Sequence, residues 1–292
     1  TMIPNLVTDR GLVQYHGISI SENSWFSRNT IGSGGSASTV SMVNLESFLA
    51  ANGSASTIDQ SPSVSVPPDY EFWVTRKWTY APGSGTGTIR EVGMEGVNEN
   101  SGNLFCRAVF PTPIVKGATQ YLDVFYKFTV WQSLVAQTGT ALINGVNYDW
   151  HSSVFNVATP LNPAGRAFTN GGVPVTSGTI SIYHQWYSGA RAATITDTTP
   201  AGSNLGGASS CVIDDYGTLD ANTGYCDFTL HFGLSVGNGT DFLRTLITRS
   251  KATKIYRQME FTATDGPNIG EGIPKDNTQE MDISLRYTSG RL

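Results

Sequence analysis

Charge is what this sequence has least of. Charged side chains make up 14% of its 292 residues, against about 25% in an ordinary soluble domain. The formal net charge of -5 gives no reason to expect a nucleic-acid partner. Low charge instead suits a chain with much of its surface held against neighbouring subunits. Cysteine is also scarce: Cys106, Cys211 and Cys226, with no CxxC. That excludes a disulfide framework and a zinc site of the usual spacing and fits synthesis in a reducing compartment. Cys211 and Cys226 flank VIDDYGTLDANTGY. They either bridge a hairpin or remain two buried thiols, and the sequence favours thiols.

Long apolar runs are missing too. The longest uncharged stretch, residues 167–190, is too polar and too broken by glycine to span a bilayer, so no membrane insertion is expected. The opening TMIPNLVTDRG has no basic region followed by an apolar core, so no secretory signal is expected. The four histidines, His16, His151, His184 and His231, pair with no other ligand at metal-binding spacing. No GxSxG, HExxH or GxGxxG occurs. The sequence therefore predicts no enzyme, no cofactor and no metal. A calcium loop at Asp214, Asp215, Asp220 and Asp227 would need the DxDxDG order, which is absent, so a solvated hairpin tip is expected there.

What is present is glycine, serine, threonine and an aromatic content of 11%, which marks a folded β protein with many turns. Residues 70–131 organise the rest. Phe72, Val74, Trp78 and Tyr80 alternate, with Arg76 among them, against Trp73, Thr75, Lys77 and Thr79. Leu104, Cys106, Ala108 and Phe110 share a face. So do Leu122, Val124, Tyr126, Phe128 and Val130, opposed by Asp123, Lys127 and Thr129. Period two reads as half-buried strands, here expected as an antiparallel meander.

Further strands are expected at residues 179–187, 228–236, 255–261 and 281–287, and a hairpin at Asn144-Gly145. Short helices are expected at Val40–Ala50 and Asp241–Lys251 from their apolar spacing. One internal echo stands out: TQYLDVFYKFT at 119–129 and TQEMDISLRYT at 278–288 share Thr, Gln, Asp and Thr at equal offsets, with Lys127 matching Arg286. The fold class is all-β, an antiparallel, jelly-roll-like β-sandwich. Two sandwich halves are the natural division if the echo is a duplication, with 1–131 as an N-terminal sandwich and 132–292 as a second β-rich region.

Two surfaces invite a role in binding. Tyr183, Trp186 and Tyr187, with Trp73 and Trp78, could stack sugars; core or interface packing is the competing use. The basic group Arg244, Arg249, Lys251, Lys254 and Arg257 has only Tyr256 interleaved, which fits a solvated helix face or an acidic neighbouring subunit better than nucleic acid.

An ordered set of short motifs carries a resemblance. Asn5, Val7, Thr8, Gly11 and Leu12 form N-x-V-T-x-x-G-L, followed by IGSG at Ile31–Gly34. An aromatic strand, Arg76 to Tyr80, runs through a glycine-rich turn into I-x-E-V-G at Ile89, Glu91, Val92 and Gly93. L-F-x-R-A at Leu104–Ala108 and L-D-V-x-Y at Leu122–Tyr126 complete the set. Over residues 1–131 the chain resembles phage tail-fibre and tail-tip structural proteins. The resemblance implies a virion building block made in the host cytoplasm, which works as a symmetric oligomer with its own copies and other tail proteins. It implies no catalytic residues. On that reading Asn5, Thr8, Gly11, Leu12, Gly32 and Gly34 are candidates for a subunit interface. The linker-like loops Asn29–Thr39 and Asn52–Pro68 and the N-terminal element are expected to be ordered by neighbouring chains. A carbohydrate-binding module that recognises a host glycan is the alternative.

Overall fold

Alternation becomes strand almost everywhere that the protein is described. The computed structural model describes residues 3, 5–16, 28–60, 64–66, 69–96, 101–133, 135–155, 184–193, 200–238, 242–249 and 256–290. In chain order the first half comprises β1 (Leu6–Val7), α1 (Asp9–His16), β2 (Arg28–Gly32), β3 (Phe48–Asn52), β4 (Ala55–Gln60), β5 (Val64–Val66), β6 (Asp69–Tyr80), β7 (Gly87–Glu95), β8 (Leu104–Lys116) and β9 (Leu122–Ser133). One antiparallel layer runs β1-β8-β7-β2-β3; in the other, β4 and β5 lie along one edge of β6 and β9 along its other edge. The layers close on Ile31, Tyr80, Ile89, Val92, Ala108 and Val124.

The expected faces hold in this half, but the expected neighbours do not. Trp78, Tyr80, Val124 and Tyr126 are buried, with Asp123 and Lys127 exposed on the opposite face. However, β6 pairs with β9 and β7 with β8, in different layers, so residues 70–131 are no meander. The turn at 81–86 is a corner between layers. Its Gly83 and Gly85 have φ of 81° and 61°, which glycine adopts without the Cβ penalty. Alternation specifies which way side chains point and leaves the partner strand open. A bulge in the β7–β8 register corrects a second detail: Phe105, rather than Leu104, reaches the second layer, where its ring meets Phe128 at 5.9 Å.

The one helix among the described residues is α1, which begins at Asp9-Arg10-Gly11, a tripeptide that by itself reads as a turn signal. Thr8 caps α1 by accepting a hydrogen bond from the Gly11 amide at 2.9 Å, and Asp9 sits in the first turn; both features stabilise a helix start. At Gly11 a Cβ would stand 2.1 Å from the Phe105 carbonyl oxygen, so only glycine lets α1 lie this close to β8. The expected helix at Val40–Ala50 is instead a run of turns leading into β3.

The second half comprises β10 (Gln137–Ile143), β11 (Val146–Phe155), β12 (His184–Tyr187), β13 (Asn204–Gly207), β14 (Ser210–Thr218), β15 (Thr223–Phe232), β16 (Thr245–Arg249), β17 (Tyr256–Ala263) and β18 (Met281–Gly290). Six strands form the layer β10-β11-β17-β16-β12-β13 and three form β14-β15-β18. Between them Trp186 packs against Phe232 and Phe261, with ring centroids 5.9 and 5.6 Å away, in a core that also holds Phe228, Leu230 and Leu246. Among the described residues no strand of β1–β9 pairs with any of β10–β18, while α1 touches β8 as well as β14 and β15. The Asn144-Gly145 hairpin forms as expected, with φ of 51° and 78°, the left-handed pair that a two-residue turn needs.

The second expected helix is β16, hydrogen-bonded to both β12 and β17. As a central strand it buries both faces: Thr245 and Leu246 are at 0% exposure. Apolar residues on both faces of a strand imitate helical spacing.

Candidate functional site

Short motifs from β7, β8 and the IGSG loop lock together in one place. Strands β7 and β8 set Gly93 opposite Arg107 and Glu91 opposite Val109, which brings Glu91 and Arg107 to one side of the layer. The Arg107 Nε donates to Glu91 Oε2 at 2.7 Å, and both side chains are wholly buried. Glu91 also accepts from the backbone amides of Gly34 at 3.0 Å, Ser47 at 2.8 Å and Glu46 at 3.1 Å. Arg107 donates to the Ser36 carbonyl at 2.9 Å and reaches Glu46 at 3.3 Å. Glu46 in turn accepts from the Ser36 amide and hydroxyl, which hold its carboxyl below the ordinary range. A few residues away Thr8 donates to the Leu104 carbonyl, and its own amide donates to Phe105.

This clasp corrects the expectation for the IGSGGSAST loop. Its composition is that of a linker, yet one buried ion pair of the same chain satisfies its backbone. A buried pair with all its hydrogen bonds made is tolerated in a core; the same charges unpaired are not. The clasp also explains its glycines. At Gly34 a Cβ would lie 2.4 Å from the Glu46 Cβ and 2.6 Å from Glu91 Oε1, whereas at Gly35 the nearest atom is 3.4 Å away. Gly34→Val is therefore expected to expel the loop and open residues 33–39 to limited proteolysis, while Gly35→Ala leaves them resistant. Equal cleavage of the two variants would contradict the clasp.

Of the expected interface residues, Thr8, Gly11, Leu12, Gly32 and Gly34 are all buried within the chain; Asn5 alone is exposed. Internal packing occupies the five in the single chain. The expected sugar platform is not formed either. Trp186 is at 0% and Tyr187 at 9% exposure, both consumed by packing, and Tyr183 lies outside the described residues. Trp78 is buried as well, and Trp73 is covered by Lys127, whose Nζ stands 4.5 Å from its ring centroid. The basic group is no helix face: Arg244 pairs with Glu260 at 3.0 Å, beside Arg191 at 3.6 Å. Lys251 and Lys254 lie outside the described residues.

The acidic cluster belongs to the β14–β15 hairpin, and each carboxylate has a protein partner. Asp214 accepts from Thr229, Asp215 from Tyr225, and Asp220 from the turn amides of Asn222 and Thr223. Asp227 takes both ends of the Arg286 guanidinium at 2.6 and 2.7 Å, which lowers its pKa. Among the described residues no group of three His, Cys, Asp or Glu side chains is placed to hold a metal ion, and no helix is long and apolar enough to cross a membrane.

Nucleophiles are equally occupied. All three cysteines are free thiols, pushed up to about 12 first of all by burial, so thiolate is scarce at neutral pH. Cys211 lies opposite Leu230 and Cys226 opposite Tyr216, so the two do not face each other across the hairpin. His231 Nδ1 contacts Asp282 at 2.7 Å, but its Nε2 is turned toward Glu280 at 3.9 Å and Ser284 bonds to Thr229 instead. A nucleophilic triad would need that serine on Nε2. No family model matches the chain, and no curated protein or solved structure matches it either.

Proposed function

We propose that the chain is a structural subunit of a bacteriophage virion, a tail component of fibre, tip or adaptor type that assembles with its own copies and with other tail proteins. One observation supports this reading above the rest. Four of the motifs of the resemblance, separate in sequence, meet at the clasp and beside it through Thr8, Gly11, Gly34, Glu91 and Arg107, while the aromatic strand and L-D-V-x-Y pair with each other in the facing layer. Short motifs that interlock in this way are a fingerprint of one architecture, which fits a shared building block. The chemistry left at the surface fits as well, because polar side chains pair with one another across strands. Trp186 and Tyr187 are buried, so the glycan-binding alternative draws less support from these aromatics.

The reading is tested by native mass spectrometry of the purified full chain together with a glycan array. A discrete oligomer that persists on dilution, with no saturable sugar binding, is the expected result. A monomer that binds a glycan saturably would replace this function with receptor recognition.

A further inference from the structure

The two halves of the sequence echo lie on the two longest regular sheet edges among the described residues. Strand β9 has β6 on one edge, and β18 has β15; no described strand lies on the other edge of either. Both pair with their one neighbour in unbroken register, over twelve residues for β9 and ten for β18. The remaining edges are blunted. β1 has two residues, and β5 has three. β3, β4, β13 and β14 carry register shifts. β8 carries Pro111 and Pro113 beyond its short pairing with β1. β10 is seven residues long. Proteins that remain monomers commonly interrupt long flat edges with proline or bulges; neither β9 nor β18 has either, and the charges they carry, Asp and Lys or Arg on each, are of complementary sign.

The echo extends to side chains. Lys127 lies opposite Thr75 and over the ring of Trp73, two residues back along the partner strand. Arg286 lies opposite Asp227 and over the ring of Tyr225, again two residues back, at 4.8 Å. The two strands thus sit in their sheets in the same way, each with its apolar set facing inward and Asp and Lys or Arg at matching outward positions.

Resting on the proposed function, we infer that β9 of one copy pairs antiparallel with β18 of the next, joining their sheets across the subunit boundary. With Phe125 set opposite Ser284, Asp123 meets Arg286 and Lys127 meets Asp282. On the same outward face the bulky, exposed Tyr121 and Phe125, at 70% and 60% exposure, meet the small Thr288 and Ser284. On the inward face Leu122, Val124, Tyr126 and Phe128 meet Tyr287, Leu285, Ile283 and Met281, which continues each core across the join. Opposite charges and large-small pairs across strands are the favourable arrangement. Because the two edges differ, the contact is head-to-tail and generates a ring or a filament of copies. It reads as β-strand addition between copies.

The test uses two full-length variants, Phe125→Cys and Ser284→Cys, produced separately and co-produced, then mildly oxidised. Directly opposed residues have Cα atoms about 4.5–5.5 Å apart, within the span of a disulfide. The expected result is a cross-linked dimer in the co-produced sample and none in either variant alone. A cross-link in Phe125→Cys alone would mean a two-fold β9–β9 contact and would overturn the inference. So would an oligomer without any cross-link, although the proposed function would survive that outcome. A monomer at every concentration would remove both. A charge swap gives an independent reading: Lys127→Asp should shift the oligomer to monomer, and adding Asp282→Lys should restore it. Failure of the second change to restore assembly would also overturn the pairing.

Discussion

Glu91→Leu unfolds or severely weakens the first sandwich, by about 3–5 kcal/mol, because it removes the buried counter-charge of the Arg107 guanidinium and leaves it only the partly exposed Glu46 at 3.3 Å. Both side chains stand at 0% exposure and are 2.7 Å apart, so water cannot replace the lost carboxylate without opening the clasp. The same change removes the acceptor for the amides of Gly34, Glu46 and Ser47, so the loop should lose its hydrogen-exchange protection along with the stability. The double variant Glu91→Leu, Arg107→Met should recover only the part of the loss due to the unbalanced charge, because the amides of Gly34, Glu46 and Ser47 still lack their acceptor. Urea unfolding of the three proteins distinguishes these outcomes. A single variant as stable as the parent would show that the clasp is not holding the fold.

The second large effect is at Val124. It is 9% exposed and packs with Ile31, Tyr80, Ile89 and Ala108 between the two layers. Val124→Asp places a carboxylate in the apolar layer between the two sheets, at a cost of several kcal/mol, and the chain should fail to accumulate as folded protein. Lys127→Asp on the opposite face loses the contact with Trp73, about 0.5–1 kcal/mol at an exposed site. It should melt near the parent while losing the ability to assemble. Comparing soluble yield, melting temperature and oligomeric state separates the two faces of one strand. If both variants melted alike, the register of β9 would be wrong.

What the sequence reveals well is direction. The alternation of Trp78 and Tyr80, or of Val124 and Tyr126, follows from the pleat of a strand and survives into the structure as buried faces. The Asn144-Gly145 turn is equally direct, because few other residues accept its backbone angles. What the sequence hides is adjacency. That β6 joins β9 across more than forty residues, while the intervening pair forms the facing layer, depends on contacts that no local pattern encodes.

The clasp is hidden for the same reason. Glu91 and Arg107 look like ordinary outward charges on two strands. Only the register, and the glycines that let residues 32–34 approach, turn them inward onto a loop. The helix wrongly expected at 241–251 shows a different limit. A central strand buried on both faces has no polar side to betray its period. Conversely the true helix, α1, carries a legible signal in Thr8 followed by Asp9, hidden behind a turn-like Asp-Arg-Gly. The sugar platform failed because aromatic content reads the same in a core as on a surface.

A subunit-resolution image of the phage particle proposed to carry this chain tests the central claim most directly. The account predicts repeated copies on the tail, each a pair of β-sandwiches, related by rotation about the tail axis. Absence of the chain from the particle, or a lone copy with no symmetry mate, would contradict it.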